Sequence, residues 1–257
     1  MWKILRIAVL LLVLVGVGAA AWLDRVTTTS WDKTLWVGIF PLNGDGSEAA
    51  ARYIDDLRVE DFAGIESFFA QEAQRYGVKV ERPIRVDLYP SPQELPPQLG
   101  SHPNRLQVMS WSLKTRLYAR RASDVPGRPR SHIRVFVLYH DPKVSKSVPH
   151  SLGMQKGLIG VVHAFADRNM TGSNSIVIAH ETLHTVGATD KYDIETGAPT
   201  YPGGYGEPEA SPRFPQHYAE IMAGQRAISD HEQEMPETLS DVLVGAQTAR
   251  EIGWTRP

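Results

Sequence analysis

Residues 180–190 read His-Glu-Thr-Leu-His-Thr-Val-Gly-Ala-Thr-Asp, and this stretch indicates both the fold and the chemistry of the chain. On a helix, His180 and His184 lie four residues apart, so both imidazoles project from one face and can share a cation. Glu181 is rotated by about 100° from His180, which places its carboxylate beside the cation rather than on it. A carboxylate in that position can accept a proton from water, the role of a general base.

Gly187 and Asp190 complete the pattern. Glycine is the residue type that ends a helix in a left-handed conformation, after which the chain can fold back and deliver Asp190 as a third ligand. Three protein ligands leave the fourth tetrahedral position of Zn²⁺ to water, as hydrolysis requires. The other interpretation is an amphipathic helix whose histidines are solvated or hydrogen-bonded in a core. The first five residues alone would arise by chance in roughly one such chain in fifty, the full pattern in roughly one in ten thousand.

The stretch resembles the signature of the metzincin clan of zinc peptidases, H-E-x-x-H-x-x-G-x-x-H or -D followed by a turn that contains methionine. Residues 219–224, Ala-Glu-Ile-Met-Ala-Gly, are similar to that turn, in which Met222 would form an apolar floor beneath the metal. An Asp ligand followed by Tyr192 looks most like snapalysins. Residues 190–193, Asp-Lys-Tyr-Asp, also resemble the immune-inhibitor-A type of secreted bacterial peptidase. The resemblance covers about residues 130–257.

This resemblance implies an α+β fold with a mixed twisted sheet, backing helices, an active-site helix and a loop-rich lower subdomain. It also implies a zinc metalloendopeptidase that holds Zn²⁺ through His180, His184 and Asp190 and acts on a peptide or protein. Tyr192 is then a candidate donor to the oxyanion, or packs beneath the metal. Two alternatives remain open: a catalytically degenerate zincin fold that binds peptides or partners, and an amidase acting on cell-wall peptides. Glu181 favours an enzyme, because a purely structural zinc does not need it.

Hydrophobic periodicity and turn residues predict the elements around the zinc helix. The predicted strands are residues 34–40, 84–89, 133–139 and 157–166, with 133–139 central and covered on both faces. The predicted helices are residues 47–76, capped by Ser47 with a break near 60–61, then 104–122, and the zinc helix from Asn174 or Ser175. The amphipathic run from Ser240 to Trp254 is similar to the C-terminal helix that closes many metzincin domains. Residues 195–217 have no helical or strand period and predict a loop that shapes a pocket.

Residues 157–166 resemble the edge strand of matrix metallopeptidases, where a histidine such as His163 binds a second, structural zinc. The other ligands of such a site are not recognisable, so His163 is given no role. The β-rich composition of this run predicts an exposed sheet edge beside the metal, which binds substrate by adding a strand.

The N-terminus predicts export of the catalytic domain. After Lys3 and Arg6, residues 7–23 form 17 uncharged, mostly apolar positions, about 26 Å of helix. Trp2 and Trp22 lie where interfacial aromatic residues occur. We therefore expect a transmembrane anchor at 1–23, a tether at 24–33 and a peptidase domain at 34–257. The domain would lie in the periplasm or outside the cell, held by a single pass through the inner membrane. A signal peptide, cleaved after the alanines at 19–21 to release a secreted or periplasmic protein, is the alternative.

The composition excludes several classes of function. With 257 residues, 42% hydrophobic and 22% charged, the chain suits one globular domain after its N-terminal segment. The net charge of −2 gives no electrostatic case for nucleic acid as a partner. The chain has no cysteine, which excludes disulfides and a thiolate zinc site. Residues 116–134 carry six arginines, which form either a solvated helix end and loop or a contact with an anionic envelope surface or substrate. The oligomeric state is not indicated.

Overall fold

The computed structural model describes residues 29–100 and 104–255, together with residues 2, 5–7, 9, 11–12, 15–16 and 18. The predicted anchor at 1–23 therefore lies largely outside the described residues, as does the first half of the predicted tether, residues 24–28. Among the residues that are described, no helix has both the length and the apolar character needed to cross a membrane.

The centre of the fold is a five-stranded mixed sheet, which bears out the α+β class in its broad outline. Four strands are parallel, and the short fourth strand in the chain runs antiparallel at one edge, in the order β2-β1-β3-β5-β4. The strands are β1 (Leu35–Asn43), β2 (Ile84–Leu88), β3 (Ile133–His140), β4 (Leu152–Met154) and β5 (Ile159–Phe165).

Helices cover both faces of this sheet. They are α1 (Glu48–Asp55), α2 (Ala63–Arg75), α3 (Arg105–Ala122), α4 (Thr171–Thr185) and the short α5 (Ala246–Glu251). The connection from β1 to β2 moves one way along the sheet and the connection from β2 to β3 moves back. Since crossovers between parallel strands are right-handed, the helices in these two connections lie on opposite faces. The apolar clusters agree, because α1, α2 and α4 share one cluster while α3 belongs to the other.

Side chains along the central strands point alternately to the two faces of the sheet, so each strand contributes to both apolar clusters. In β1, Val37 and Ile39 face the α4 side, whereas Phe40 and Leu42 face α3. Every residue of β3 except Arg134 is buried, which confirms the prediction of a central strand covered on both faces.

The limits of α1, α2 and α3 lie close to those that the sequence predicts. Ser47 caps α1 by accepting a hydrogen bond from the Ala50 amide at 3.1 Å. A 3₁₀ turn at Val59–Phe62 makes the predicted break before α2, and Gly77 follows α2 with a φ of +70°. Asn104 and Gln107 form a reciprocal capping box at the start of α3.

The predicted sheet edge at 157–166 is wrong. This run forms β5, which pairs with β3 on one side and with β4 on the other. The edge beside the zinc helix is β4 instead. Its three residues, Leu-Gly-Met, are too few to show a strand period, so the sequence did not reveal it.

Two predicted helix limits also need correction. Helix α4, which carries the predicted zinc ligands His180 and His184, begins at Thr171, earlier than the predicted Asn174 or Ser175. The side chain of Asn174 does not cap the helix. It accepts a hydrogen bond from the Phe165 amide and donates one to the Phe165 carbonyl in β5. The run from Ser240 to Trp254 is not one helix, since residues 242–243 leave it to pair with another strand and only α5 is α-helical.

The part of the chain after α4 is loop-rich, as predicted. Two pairs of two-residue strands occur there: β6 (Ala219–Glu220) with β9 (Val242–Leu243), and β7 (Arg226–Ala227) with β8 (Gln233–Glu234). Residues 195–217 contain no helix or strand, although Tyr205 bridges to Ala219.

Candidate metal centre

The end of α4 brings the predicted ligands together. The Ala188 amide donates to the Leu183 carbonyl at 3.1 Å and the Gly187 amide to the His184 carbonyl at 3.2 Å, a Schellman ending. Gly187 has a φ of +112°, which side chains with a Cβ rarely adopt. The chain therefore reverses at the predicted glycine and returns Asp190 towards the helix.

Three ligand atoms converge at this point. One nitrogen each from His180 and His184 and a carboxylate oxygen of Asp190 all lie within 4.8 Å of one another. Oδ1 of Asp190 is 3.3 Å from Nε2 of His180 and 3.0 Å from Nε2 of His184. Two atoms bound to zinc at 2.0–2.1 Å in tetrahedral geometry stand about 3.3–3.4 Å apart, so these spacings fit a zinc ligand set.

Backbone carbonyls select which nitrogen of each histidine faces the cluster. Nδ1 of His180 lies 2.8 Å from the Ile221 carbonyl, and Nδ1 of His184 lies 2.8 Å from the Ala188 carbonyl. A carbonyl can only accept, so each Nδ1 carries the proton and, in a neutral ring, Nε2 carries a lone pair. This is the tautomer that a metal requires.

A cluster of three electron-pair donors needs a positive charge between them. Although burial alone would raise it, hydrogen bonds with His180 and His184 place the pKa of Asp190 well below its ordinary value. Burial opposes protonation of His184, yet its contact with Asp190 raises the pKa of that imidazole. Zn²⁺ can supply positive charge to all three ligands at once.

Glu181 lies beside this cluster without belonging to it. Its side chain is buried, and the Oε2 atom has no hydrogen-bond partner within normal limits in the described part of the chain. Burial raises the pKa of Glu181, against the opposing effect of His180 and His184. A buried carboxylate oxygen without a partner is rare in proteins and is a typical sign of a functional group that awaits a ligand or water.

Gly153 of strand β4 sets the distance between the sheet edge and α4. A Cβ on Gly153 would lie 2.4 Å from Cβ of His184 and 2.6 Å from the Glu181 carbonyl oxygen. It would also lie 3.0 Å from Oε2 of Glu181. Only glycine lets the free edge of the sheet approach the cluster this closely.

The turn at residues 219–224 lies directly beside His180, because the Ile221 carbonyl accepts from its Nδ1. Met222 is fully buried. Buried Glu220 organises the turn, since its Oε2 accepts from the amides of Met222 at 2.6 Å and Ala223 at 3.1 Å. Burial raises the pKa of Glu220, partly offset by these bonds and by Thr248.

A second carboxylate holds the residues on either side of Asp190. Oε2 of Glu251 accepts from the Thr189 amide at 2.9 Å and from Nζ of Lys191 at 2.8 Å. Its Oε1 accepts from the Thr189 hydroxyl at 3.0 Å. The Lys191 amide in turn donates to the Met222 carbonyl at 2.9 Å. Glu251 therefore orients Asp190 through both of its neighbours.

Tyr192 is half-buried near the cluster. Burial, together with the negative charges of Asp190 and Glu181, raises the pKa of its phenol. The hydroxyl thus keeps its proton at neutral pH and can donate, as the predicted role requires.

His163 contacts a different histidine from those of the cluster. Its Nδ1 lies 2.9 Å from Nε2 of His140, across the carboxyl ends of β5 and β3. Burial and the charge of His140 lower the pKa of His163 to about 4. The described residues show no third metal ligand beside this pair.

The sequence missed Glu220, Glu251 and Gly153. The two acids follow no spacing from the zinc motif, and their bonds lead to backbone groups that any residue type offers. Only Glu220 had a local signal, since it lies in the turn that resembles the methionine turn.

No protein-family model matches the chain, and no curated protein is significantly similar to it.

Proposed function

We propose that the chain is a zinc-dependent endopeptidase with a metzincin-like fold. The observation that carries the proposal is the cluster of His180, His184 and Asp190, whose tautomers and spacing suit zinc. Beside it lies Glu181, whose Oε2 atom has no hydrogen-bond partner among the described residues. The mixed sheet, the turn at Gly187 and the buried Met222 support the finer assignment of the fold.

Each residue of the proposed site has its own role in peptide hydrolysis. When bound, zinc supplies Lewis acidity, which lowers the pKa of water from 15.7 to about 7. His180, His184 and Asp190 hold the ion, and the negative charge of Asp190 leaves it a weaker Lewis acid than a third histidine would. Glu181 accepts the proton of the attacking water and passes it to the leaving amine. Its raised pKa makes it a better base. Tyr192 donates to the oxyanion of the scissile carbonyl.

The substrate binds along β4. Among the described strands, β4 pairs only with β5, so no strand occupies its other edge. An extended peptide can add to this edge as another strand. Gly153 then brings that peptide close to Glu181 and the metal. Main-chain pairing accepts many sequences, and the loop at 195–217 would set any preference.

The cell location stays a proposal that rests on sequence alone. Residues 1–23 anchor the chain in the inner membrane, with the peptidase domain on the outer side. Extended, the tether reaches at most ~35 Å, so the enzyme would act on membrane proteins or nearby cell-wall peptides.

The test is peptide cleavage by the purified, zinc-loaded chain, with a mixed peptide library and with or without a chelator. Glu181→Gln should keep one zinc per chain and lose about 10²–10⁴-fold in rate, because a carboxamide cannot accept a proton. Glu81→Gln is the matched control, since Glu81 is exposed in the loop before β2 and outside the proposed site, and it should cleave at the wild-type rate.

Cleavage by Glu181→Gln at the wild-type rate would contradict the mechanism. If zinc binds but no peptide is cleaved, the chain is a degenerate binding module. Release of amino groups only from cell-wall peptides would identify an amidase instead.

A further inference from the structure

The outer face of α3 is apolar, and none of the described residues covers it. Four of its side chains are among the most exposed large apolar groups in the described domain: Leu106 (75%), Met109 (62%), Leu113 (63%) and Leu117 (50%). At 100° per residue they fall within a sector of roughly 80° and extend along about 16 Å of helix. The opposite side of α3 packs on the sheet through buried Thr115 and Ala119. Soluble helices normally turn such a stripe inward.

Cations flank this stripe on both sides. The eighteen residues of α3 include five cations, Arg105, Lys114, Arg116, Arg120 and Arg121, and no aspartate or glutamate. On the same projection, Lys114 and Arg121 lie to one side of the stripe, Arg105 and Arg116 lie to the other, and Arg120 lies within it. An apolar strip bordered by lysine and arginine is the pattern of helices that lie in a membrane interface.

A basic cleft continues the charged border of α3. It encloses about 960 Å³ at the amino ends of β1, β3 and β5, away from the metal cluster. Arg116 and Arg120 line it together with Lys33 and Arg134. Among the described residues of its lining, Asp32 is the only acid. His132 adds a neutral donor, since its Nδ1 accepts from the Trp36 amide and its Nε2 therefore carries the proton.

The first residues of the domain also line this cleft. Ser30 and residues 32–34 form one of its walls, and only residues 24–29 separate this segment from the apolar run at 7–23. The point where the chain enters the domain is thus next to the basic border of α3. A membrane that holds the N-terminus would meet this surface first.

We propose that α3 lies in the interface of an anionic phospholipid bilayer. Its apolar stripe enters the acyl boundary, and the cations of the helix and the cleft contact lipid phosphates. Each lysine or arginine near an anionic surface adds to the attraction, so five on one helix make a strong preference for anionic over zwitterionic lipid. The arginines at 116–134 would then contact an anionic envelope surface rather than form only a solvated helix end and loop.

A second copy of the chain fits this face less well. A two-fold dimer would bring the same patch onto itself, and the cations of both helices would then oppose one another. A bilayer carries the complementary charge and offers an apolar layer of any extent.

Docking through α3 leaves the metal centre accessible. Because α3 and α4 cover opposite faces of the sheet, the sheet itself lies between the bilayer and the cluster. The proposal does not depend on whether zinc or peptide binds there.

The absence of cysteine allows a direct test. Leu113→Cys in the full-length chain gives a unique thiol for a polarity-sensitive fluorophore. Gln71→Cys, on the exposed side of α2 and thus on the other face of the sheet, is the matched control. Both proteins are reconstituted into phosphatidylcholine vesicles with and without phosphatidylglycerol, and nitroxide-bearing lipid serves as the quencher.

We expect strong quenching at position 113 in anionic vesicles, little in phosphatidylcholine alone, and none at position 71 in either. Adding Lys114→Glu and Arg121→Glu should weaken docking by roughly 25-fold or more, at about fivefold for each charge lost. Equal emission at 113 with and without anionic lipid would overturn the proposal. So would a concentration-dependent blue shift without vesicles, which would identify a second copy as the occupant.

Discussion

Replacing Glu251 should loosen Asp190 although the two side chains are not bonded to each other. Glu251→Ala removes the acceptor of three hydrogen bonds from Thr189 and Lys191, the neighbours of Asp190 in the chain. It also leaves the ammonium of Lys191, whose side chain is only 3% exposed, with just the oxygens of Thr189.

The magnitude follows from this burial. Removing one partner of a buried ion pair costs about 3–5 kcal/mol of unfolding free energy. The Glu251 side chain is 22% exposed, so water can partly replace it, and we expect the lower end of that range. Metal affinity should fall by about 10–100-fold, as is typical when a residue that orients a ligand is lost.

Urea unfolding of metal-free protein and zinc competition with a chromogenic chelator measure the two effects separately. Glu251→Gln should lie between wild type and Glu251→Ala. Asp190→Ala should lose most of the zinc, because two ligands cannot hold a catalytic site. Glu195→Ala, in an exposed loop position, should change neither quantity. Glu251→Leu combined with Lys191→Met should recover much of the stability, since no buried charge remains.

The effect of Glu251 on stability should depend on pH. Hydrogen bonds, led by that of Lys191, outweigh burial and hold the pKa of Glu251 below its ordinary value. A carboxylate with a lowered pKa stabilises the fold above its unfolded pKa, and that contribution is lost as the pH falls through the folded pKa. The difference in unfolding free energy between wild type and Glu251→Ala should thus be full at neutral pH and shrink in acid.

If Glu251→Ala binds zinc as tightly as wild type does, Asp190 is held by other contacts and the reasoning is refuted.

Gly153→Ala should push β4 away from α4, costing about 1–3 kcal/mol in stability and slowing peptide cleavage. In contrast, Gly64→Ala meets no atom within 4 Å in helix α2 and should be neutral or slightly stabilising; equal behaviour of the two variants would show that the close approach of β4 has no role. For the N-terminal segment, mass spectrometry of the mature chain should find residues 1–23 retained in the membrane fraction, whereas a soluble chain that begins at Trp22 would exclude the anchor.

The part of the site that the sequence predicts is the part that local geometry determines. His180, Glu181 and His184 are related by the helical period, and Gly187 fixes where that period stops, so a single stretch of chain positions all of them. Asp190 follows within three residues of the turn. The prediction could not extend to β4, because three residues have no period and their pairing depends on where β5 lies. For the same reason, the sequence predicted β5 as the edge of the sheet, whereas the edge is β4.

The contacts that hold the cluster together come mostly from distant segments. Nδ1 of His180 is fixed by a carbonyl 41 residues away, and the loop of Asp190 by an acid about 60 residues away. Backbone carbonyls carry no sequence information, and an isolated glutamate in a C-terminal helix has no distinguishing spacing. Such groups become visible only when the fold brings the segments together.

These distant contacts give the short helix α5 a role that its length does not suggest. At its start, the Gly245 amide and the Thr248 hydroxyl donate to Oε1 of Glu220, at 3.0 and 2.6 Å. Glu220 in turn holds the turn whose Ile221 carbonyl orients His180. At its end, Glu251 holds the residues around Asp190. One six-residue helix therefore connects the segment that orients His180 with the segment that carries Asp190. Loss of either contact should lower the metal affinity of the proposed site.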